Sequence, residues 1–229
     1  MRIAHASDLH GNYKLLNRGY DSSAVSEQEG LPDLWIISGD FFPNYGRGPK
    51  TGYKINSVHE RNFQSRWWGY KSNSIMDRLG GKPIIWVGGN HDFISLSSCL
   101  RSSKYPGQVF DLSEGPVDFG GQRFAGFREI PYIAGEWVGE TQAFSEIISK
   151  ALEQDPTILV THAPPGGILD YDPTYDHCGI PALTAALTYR PHRITHHFFG
   201  HVHPDGNKTH FEMNILFINS SQTVQTVEV

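Results

Sequence analysis

Apolar runs of four to six residues, bounded by Gly, Pro, Asn or Asp, recur along the chain and read as buried strands. Residues 2–7, 34–38, 83–87, 157–161 and 197–200 form five of them, and residues 215–218 and 223–229 extend the pattern to the C-terminal end. Near-continuous hydrophobicity predicts sheets covered on both faces. Helical spacing separates the runs. It is seen over residues 61–68 and onward toward Leu79, over residues 141–152 through Phe144, Ile147, Ile148 and Leu152, and over residues 181–187 behind Pro181. The pattern predicts an α/β fold, with covered sheets and helices between the strands. No internal repeat or linker interrupts it. The Gly/Pro-rich stretch 42–52 reads as a loop inserted into one domain, so residues 1–229 are expected to form a single domain.

What closes the runs is more telling than the runs themselves. Five of them end on Asp, His or Asn: Asp8 and His10, then Asp40, then Asn90 and His91, then His162, then His201 and His203. Carboxyl ends of strands form the ligand crevice of open α/β sheets. Delivering such residues to five strand ends is most simply read as building one metal site. In Asp8-Leu9-His10 and in His201-Val202-His203, an extended backbone would put residues i and i+2 on one face, roughly 7 Å apart. That separation suits two metals about 3.5–4 Å apart. Asp8, His10, Asp40, Asn90, His162, His201 and His203 supply seven ligands. If Asp40 bridges, each metal receives four protein ligands and keeps open positions for water and substrate. Two divalent ions outweigh two carboxylates, which favours an anionic substrate. A mixed nitrogen and oxygen set without thiolate fits Mn, Fe, Zn or Co better than Cu(I) or Ca.

Composition narrows the setting. The net charge of −5 gives no general attraction to nucleic acid or membrane. Two cysteines far apart, Cys99 and Cys178, fit a reducing compartment rather than a disulfide scaffold. No stretch of about 18 apolar residues is present, and the first strand begins too early to leave room for a signal peptide. A cytoplasmic location is the expectation, with no membrane partner.

The blocks Asp8-Leu9-His10, Ser38-Gly39-Asp40, Gly89-Asn90-His91-Asp92, Thr161-His162 and Gly200-His201-Val202-His203 resemble, in order, the five signature blocks of calcineurin-like metallophosphoesterases. Thr161-His162-Ala163-Pro164-Pro165, Gly167-Ile168-Leu169-Asp170 and Leu216-Phe217-Ile218-Asn219-Ser220 resemble a small, mostly single-domain branch of that family with low-specificity phosphodiesterase activity. The resemblance implies a four-layer sandwich of two mixed β-sheets flanked by helices. It implies that Asp8, His10, Asp40 and His203 hold one metal, and that Asp40, Asn90, His162 and His201 hold the other. It further implies that a bridging hydroxide attacks phosphorus, while His91 faces the substrate as proton donor or charge stabiliser. The expected function is hydrolysis of a small phosphodiester, cyclic or nucleotide-like. The alternatives are a nuclease or phosphomonoesterase using the same metal pair, and a non-catalytic interaction scaffold. The chain departs from the protein Ser/Thr phosphatase branch. Asp40 is followed by Phe41-Phe42-Pro43-Asn44 rather than an acid and an Arg-Gly pair, and the third block ends in Asp92. This argues against a phosphoprotein substrate and leaves Asp92 or Asn44 to orient His91.

Other polar residues have plainer readings. His5, inside a strand, is expected to be a satisfied core histidine, and His196 and His197 a strand pair with one face exposed. Asp176-His177-Cys178 reads as loop and cap, with equal weight given to lining a substrate entrance. Residues 42–73 interleave Arg47, Lys50, Lys54, Arg61, Arg66 and Lys71 with aromatics, a composition able to bind a nucleotide or single strand. The helical half is expected to pack Phe63 and Trp67 on the sheet. The loop half is expected to face substrate, and nucleic acid is possible but not favoured.

Overall fold

The computed structural model describes residues 1–20, 30–46, 55–101, 109–133 and 137–229. In chain order the strands are β1 (Arg2–Ser7), β2 (Leu34–Ser38), β3 (Ile84–Val87), β4 (Val109–Asp111), β5 (Val117–Phe119), β6 (Gln122–Phe127), β7 (Ile130–Pro131), β8 (Glu140–Thr141), β9 (Ile158–Thr161), β10 (Tyr171–Asp172), β11 (Asp176–His177), β12 (His196–Phe199), β13 (Lys208–Glu212), β14 (Ile215–Asn219) and β15 (Thr223–Glu228). The helices are α1 (Ser57–Leu79), α2 (Leu96–Arg101), α3 (Phe144–Leu152) and α4 (Pro181–Tyr189).

Two mixed sheets hold most of the strands. One has the order β15-β1-β2-β3-β4, and the other β13-β14-β12-β9-β6-β5. In the first, β1 to β4 run parallel and β15 returns antiparallel beside β1. In the second, β14, β12, β9 and β6 run parallel between antiparallel edges.

Side-chain alternation along the strands explains the layering. On β2, Leu34 and Ile36 enter the cluster between the sheets, while Trp35 and Ile37 face the opposite way. On β9 and β12, Ile158, Val160 and Phe198 join that same cluster, and Leu159 and Phe199 face outward. The outer face of the first sheet is covered by α1 and α2 through Trp68, Ile75, Met76, Leu79, Leu96 and Leu100. The outer face of the second is covered by α3 and α4 through Phe144, Ile148, Leu183 and Leu187. The result is helix, sheet, sheet, helix. These central strands carry apolar side chains on both faces because both faces are covered.

Helix α1 starts and stops where its ends are chemically satisfied. Asn56 accepts from the His59 N–H at 3.0 Å, and Gly80 closes the helix at φ +60°. Its packing differs in one respect from the expectation. Trp67 packs on the core, but Trp68 is the buried neighbour, and Phe63 lies against Tyr45 with ring centroids 5.7 Å apart. A 23-residue helix that turns 3.6 residues per turn presents positions 64, 68, 75, 76 and 79 inward, and 63 falls beside that stripe. Arg47, Lys50, Tyr53 and Lys54 lie outside the described residues. The helix expected over residues 141–152 begins at Phe144, because Thr141 ends β8.

Phe198 is fully buried between the sheets, whereas Tyr70 on α1 is exposed. Phe198→Ala is therefore expected to lower stability by about 3–5 kcal/mol, and Tyr70→Ala to change it by no more than about 0.5 kcal/mol. Urea unfolding of the two variants against the parent protein measures the difference.

Candidate metal centre

The loops after β1, β2, β3, β9 and β12 bring the predicted ligands together at one end of the paired sheets. Backbone pairing continues past the ends of β1 and β2. The Asp8 N–H donates to Gly39 O at 3.0 Å, His10 N–H to Asp40 O at 2.9 Å, and Gly11 N–H to Phe41 O at 2.9 Å. Beyond β12, Gly200 N–H donates to His162 O at 2.9 Å, tying the fourth and fifth blocks to each other.

The local conformation corrects one expectation. Asp8, His10, Asp40 and His201 have φ of +52°, +43°, +51° and +69°, so none of them continues an extended strand. The pairs 8/10 and 201/203 meet through left-handed turns, not through strand alternation. L-residues adopt this region at a cost, and such outliers cluster at functional sites. Four of them here surround one point.

Close approach of backbone replaces side chain at two glycines. A Cβ on Gly200 would overlap Ser7 Oγ and Asp8 Oδ2, and one on Gly89 would overlap Asp40 Oδ1 and the Asp40 backbone nitrogen. The glycines that flank the ligands let three loops converge.

Each carboxylate is anchored by one oxygen. Asp8 Oδ2 accepts from Ser7 Oγ at 2.7 Å, Ser221 Oγ at 2.9 Å and His201 N–H at 2.8 Å, while Oδ1 faces His203 Nε2 at 3.2 Å. Asp40 Oδ1 accepts from His91 N–H at 2.7 Å, and Oδ2 lies 3.8 Å from Nε2 of both His10 and His91. Imidazoles are oriented in the same way. His162 Nδ1–H donates to Ser38 O at 2.8 Å, which turns Nε2 toward Asn90 Oδ1 at 3.0 Å and Asp40 Oδ1 at 3.5 Å. Outer partners of this kind are what metal-binding imidazoles need.

Among the described residues, three overlapping groups could hold a metal: Asp8, His10 and His203; His10, Asp40 and His91; and Asp8, Asp40 and His162. Within each group the candidate ligand atoms lie within 4.8 Å of one another. Asn90 joins through His162, and the His201 ring lies 5.0 Å from that of His162. All seven expected ligands thus meet at one place, with no thiolate among them. The set fits a pair of transition-metal ions. His91, expected to face substrate, comes within ligand range of His10 and Asp40 as well.

Charge explains the protonation pattern. Burial opposes ionisation of Asp8 and Asp40. The bond from His203 and the field of His162 nevertheless hold Asp8 below the usual carboxylate range, and His162 and His91 hold Asp40 well below it. Burial works against a charged His162 too, yet Asp40 and Asp8 push its pKa up to about 9. The bond to Asp8 raises His203, while burial lowers His201 to about 4. Protons on His162 and His203 balance two buried carboxylates, a role a cation fills better.

Asn44 and Asp92, together with residues that the sequence did not single out, hold this arrangement in place. His91 Nδ1–H donates to Asn44 Oδ1 at 2.5 Å. Asn44, not Asp92, is therefore the residue that orients His91. Asp92 accepts from Phe42 N–H and Gly89 N–H, and burial beside Asp40 raises its pKa to about 7. Gln64 of α1 donates to His91 O at 2.6 Å and Pro43 O at 3.3 Å and accepts from Phe93 N–H at 2.9 Å. Glu60, one turn earlier, accepts from Tyr45 N–H at 2.7 Å. Arg128, at the end of β6, donates to Gly89 O at 3.0 Å and to Asp92 O at 3.3 Å. Asn219 donates to Val202 O and Leu169 O. Only buried polar residues on otherwise amphipathic elements, such as Glu60 and Gln64, carried a sequence signal for these roles.

Three further histidines, His5, His196 and His197, sort as structural. His5 is fully buried between Ser38 Oγ and Ser220 Oγ, each at 2.7 Å, and burial lowers its pKa to about 3. His197 is the buried half of the strand pair, held against Thr161 Oγ1 at 2.8 Å and facing the α3–α4 layer beside Phe199 and Phe217. His196 is the partly exposed member, stacked on Phe198.

The sequence matches the model of the calcineurin-like phosphoesterase family over residues 1–205. No curated protein matches it at a significant level. Among solved structures, the fold is similar to the protein TT1561 of Thermus thermophilus, at 14% identity and a TM-score of 0.55, covering 99% of this chain and 97% of that one. It is similar to a dimetal phosphatase from Danio rerio, at 14% identity and a TM-score of 0.54, covering 96% and 86%. It is also similar to GAP50, the anchor in the inner membrane complex of Plasmodium, at 13% identity and a TM-score of 0.53, covering 96% and 70%. At these identities the likeness is one of fold.

Because metal ligation needs neutral imidazole, a cation must displace the protons held on His162 and His203. Metal uptake near neutral pH is expected to release protons, and affinity is expected to rise with pH up to about 9, where His162 deprotonates on its own. Calorimetric titration of Mn²⁺ or Zn²⁺ in buffers of different ionisation enthalpy counts the protons; an enthalpy independent of buffer would contradict this charge balance.

Proposed function

The chain belongs to the calcineurin-like phosphoesterases, and from that premise we propose that it hydrolyses a small phosphodiester, cyclic or nucleotide-like, at a dinuclear centre built on Asp40. The observation that carries the proposal is convergence on that one carboxylate. Imidazoles of His10, His91 and His162 lie within 3.8 Å of its two oxygens.

In this reading Asp8, His10, Asp40 and His203 hold one ion, and Asp40, Asn90, His162 and His201 hold the other. Bound there, Mn, Fe, Zn or Co ions would lower the pKa of a water and neutralise phosphoryl charge. The protein's own groups do the rest. Ser7, Ser221 and the His201 N–H fix the Asp8 carboxylate, and the His91 N–H fixes that of Asp40. Asn44 Oδ1 accepts the Nδ1–H of His91, so the form that donates to the departing ester oxygen is the imidazolium, with its second proton on Nε2. Gln64 and Glu60 on α1 keep the loops of Asn44 and His91 in register.

The preference for a diester rests on the Gly89-Asn90-His91-Asp92 block and on the resemblance to the small phosphodiesterase branch. We further propose that residues 1–229 act as one domain, a reading supported by a family match over residues 1–205 and by the cluster shared between the two sheets. A cytoplasmic setting is part of the proposal. Cys99 and Cys178 are both free thiols, and no helix among the described residues is long and apolar enough to cross a membrane.

Metal-stripped protein reloaded in turn with Mn, Fe, Zn or Co is expected to turn over bis(4-nitrophenyl) phosphate faster than 4-nitrophenyl phosphate. Turnover of the monoester alone would reverse the substrate preference, and no turnover with any metal would favour a scaffold. His91→Ala should lower kcat by about 10²–10⁴-fold, and Asn44→Ala by a smaller factor of about 10–100. Full activity in His91→Ala would remove its role as acid.

A further inference from the structure

A cleft of about 670 Å³ opens beside His201 and His203. That volume lies in the range of small-molecule sites. Eight large hydrophobic side chains are strongly exposed among the described residues, and three of them, Tyr132, Ile133 and Tyr175, line this cleft. A fourth, Tyr171, sets its ring edge against His177, another lining residue, with centroids 5.9 Å apart. Exposed apolar area gathered at one concave place marks a binding surface. Trp137 also lines the cleft, and its ring lies 4.1 Å from that of His91, at 47°. The aromatic wall is therefore continuous with the residue placed to meet the ester oxygen.

The polar side of the cleft is built, not incidental. Asp170 is buried and fixed, with Oδ2 accepting from Gly167 N–H at 2.9 Å and Gly179 N–H at 3.1 Å. Its other oxygen accepts the Nδ1 proton of His177 at 2.7 Å, which commits the orientation of that ring and leaves Nε2 for a ligand. Flat aromatic walls with one fixed imidazole suit a planar heteroaromatic group better than an alkyl chain, which has no use for the imidazole. Charge decides between one nucleotide and a strand of them. Asp172 lines the cleft, with Asp176 in the same turn, while Asp205, which accepts from the Tyr171 N–H at 2.8 Å, is neutralised by Lys208 Nζ at 2.6 Å. This acidic rim repels every phosphate beyond the one at the metal centre.

We infer that this cleft is a base-binding subsite, in which Tyr132, Trp137 and Tyr175 stack, and His177 hydrogen-bonds, the nucleobase of a single nucleotide whose phosphate sits at the Asp40 centre. The inference rests on the phosphoesterase reading above and narrows its substrate class from small phosphodiesters to nucleoside esters. Stacking one base on aromatic side chains is commonly strong enough to raise affinity about tenfold or more.

The test uses Mn-loaded protein and calorimetric binding of three product-like ligands: orthophosphate, ribose 5-phosphate and adenosine 5′-monophosphate. The nucleotide is expected to bind about tenfold or more tightly than ribose 5-phosphate. Tyr175→Ala, Tyr132→Ala and His177→Ala, all at solvent-exposed positions, should each erode that advantage and leave ribose 5-phosphate binding unchanged. Equal affinity for the nucleotide and the sugar phosphate overturns the subsite while leaving the metal centre's role intact. Failure of all three phosphates to bind overturns the phosphoesterase reading and the subsite with it.

Discussion

Two carboxylates, Asp8 and Asp40, are buried side by side at the ends of adjacent parallel strands, and everything at this end of the molecule follows from having to balance them. Burying one anion is expensive, and burying two together is worse unless positive charge is brought to them. The chain supplies imidazoles. His162, His203, His10 and His91 each bring a ring nitrogen within 3.8 Å of one of these carboxylates. Protons on imidazole are an adequate counter-charge, but a divalent ion is a better one. The metal-free protein therefore stores a bias toward metal. The left-handed backbone at Asp8, His10, Asp40 and His201 is part of the same store. It turns side chains inward at a local cost that the surrounding strands sustain.

The sheets make this possible by being rigid and covered. Parallel strands β1, β2 and β3 of one sheet, and β9 and β12 of the other, all deliver their carboxyl ends to one edge of the sandwich. The inter-sheet cluster of Ile36, Val87, Val160 and Phe198 keeps the five loops in fixed register. Helix α1 adds a second level of control. Its buried Gln64 and Glu60 use their polar ends on loop backbone, so a helix that packs on the far face of the first sheet still decides where Asn44 and His91 stand.

The strands that carry ligands were legible because they are buried on both faces, and continuous apolar runs are then unavoidable. Apart from the edge strand β15, strands that lie at sheet edges or mix small and polar residues were not. Lys208–Glu212 is exposed at every position, and Gln122–Phe127 alternates through Gly126 and Arg123, so neither shows an apolar run. The seven candidate ligands were legible as a set because they close five apolar runs in order, although Asp or Asn alone at such an end is an ordinary turn residue. How they converge was not legible. Extended geometry suggested pairing through residues i and i+2, whereas the chain uses left-handed turns that side-chain periodicity cannot reveal. The partner of His91 was ambiguous in sequence between Asn44 and Asp92. It was resolved only by three-dimensional placement, because Asp92 is consumed by the Gly89 and Phe42 amides.

The same division separates reaction from recognition. The metal-centre residues sit at the ends of strands locked into two sheets, so their positions are set by the core. The walls of the neighbouring cleft come from short connections: Tyr132, Ile133 and Trp137 from the β7–β8 segment, and Tyr175 and His177 from the β10–β11 hairpin. These side chains can be exchanged with little consequence for the inter-sheet core, since none belongs to it. Trp137 spans the division, lining the cleft and touching His91, while His201 and His203 line the cleft from the metal-centre side. Trp137 therefore links the aromatic wall of the cleft directly to the imidazole that Asn44 anchors.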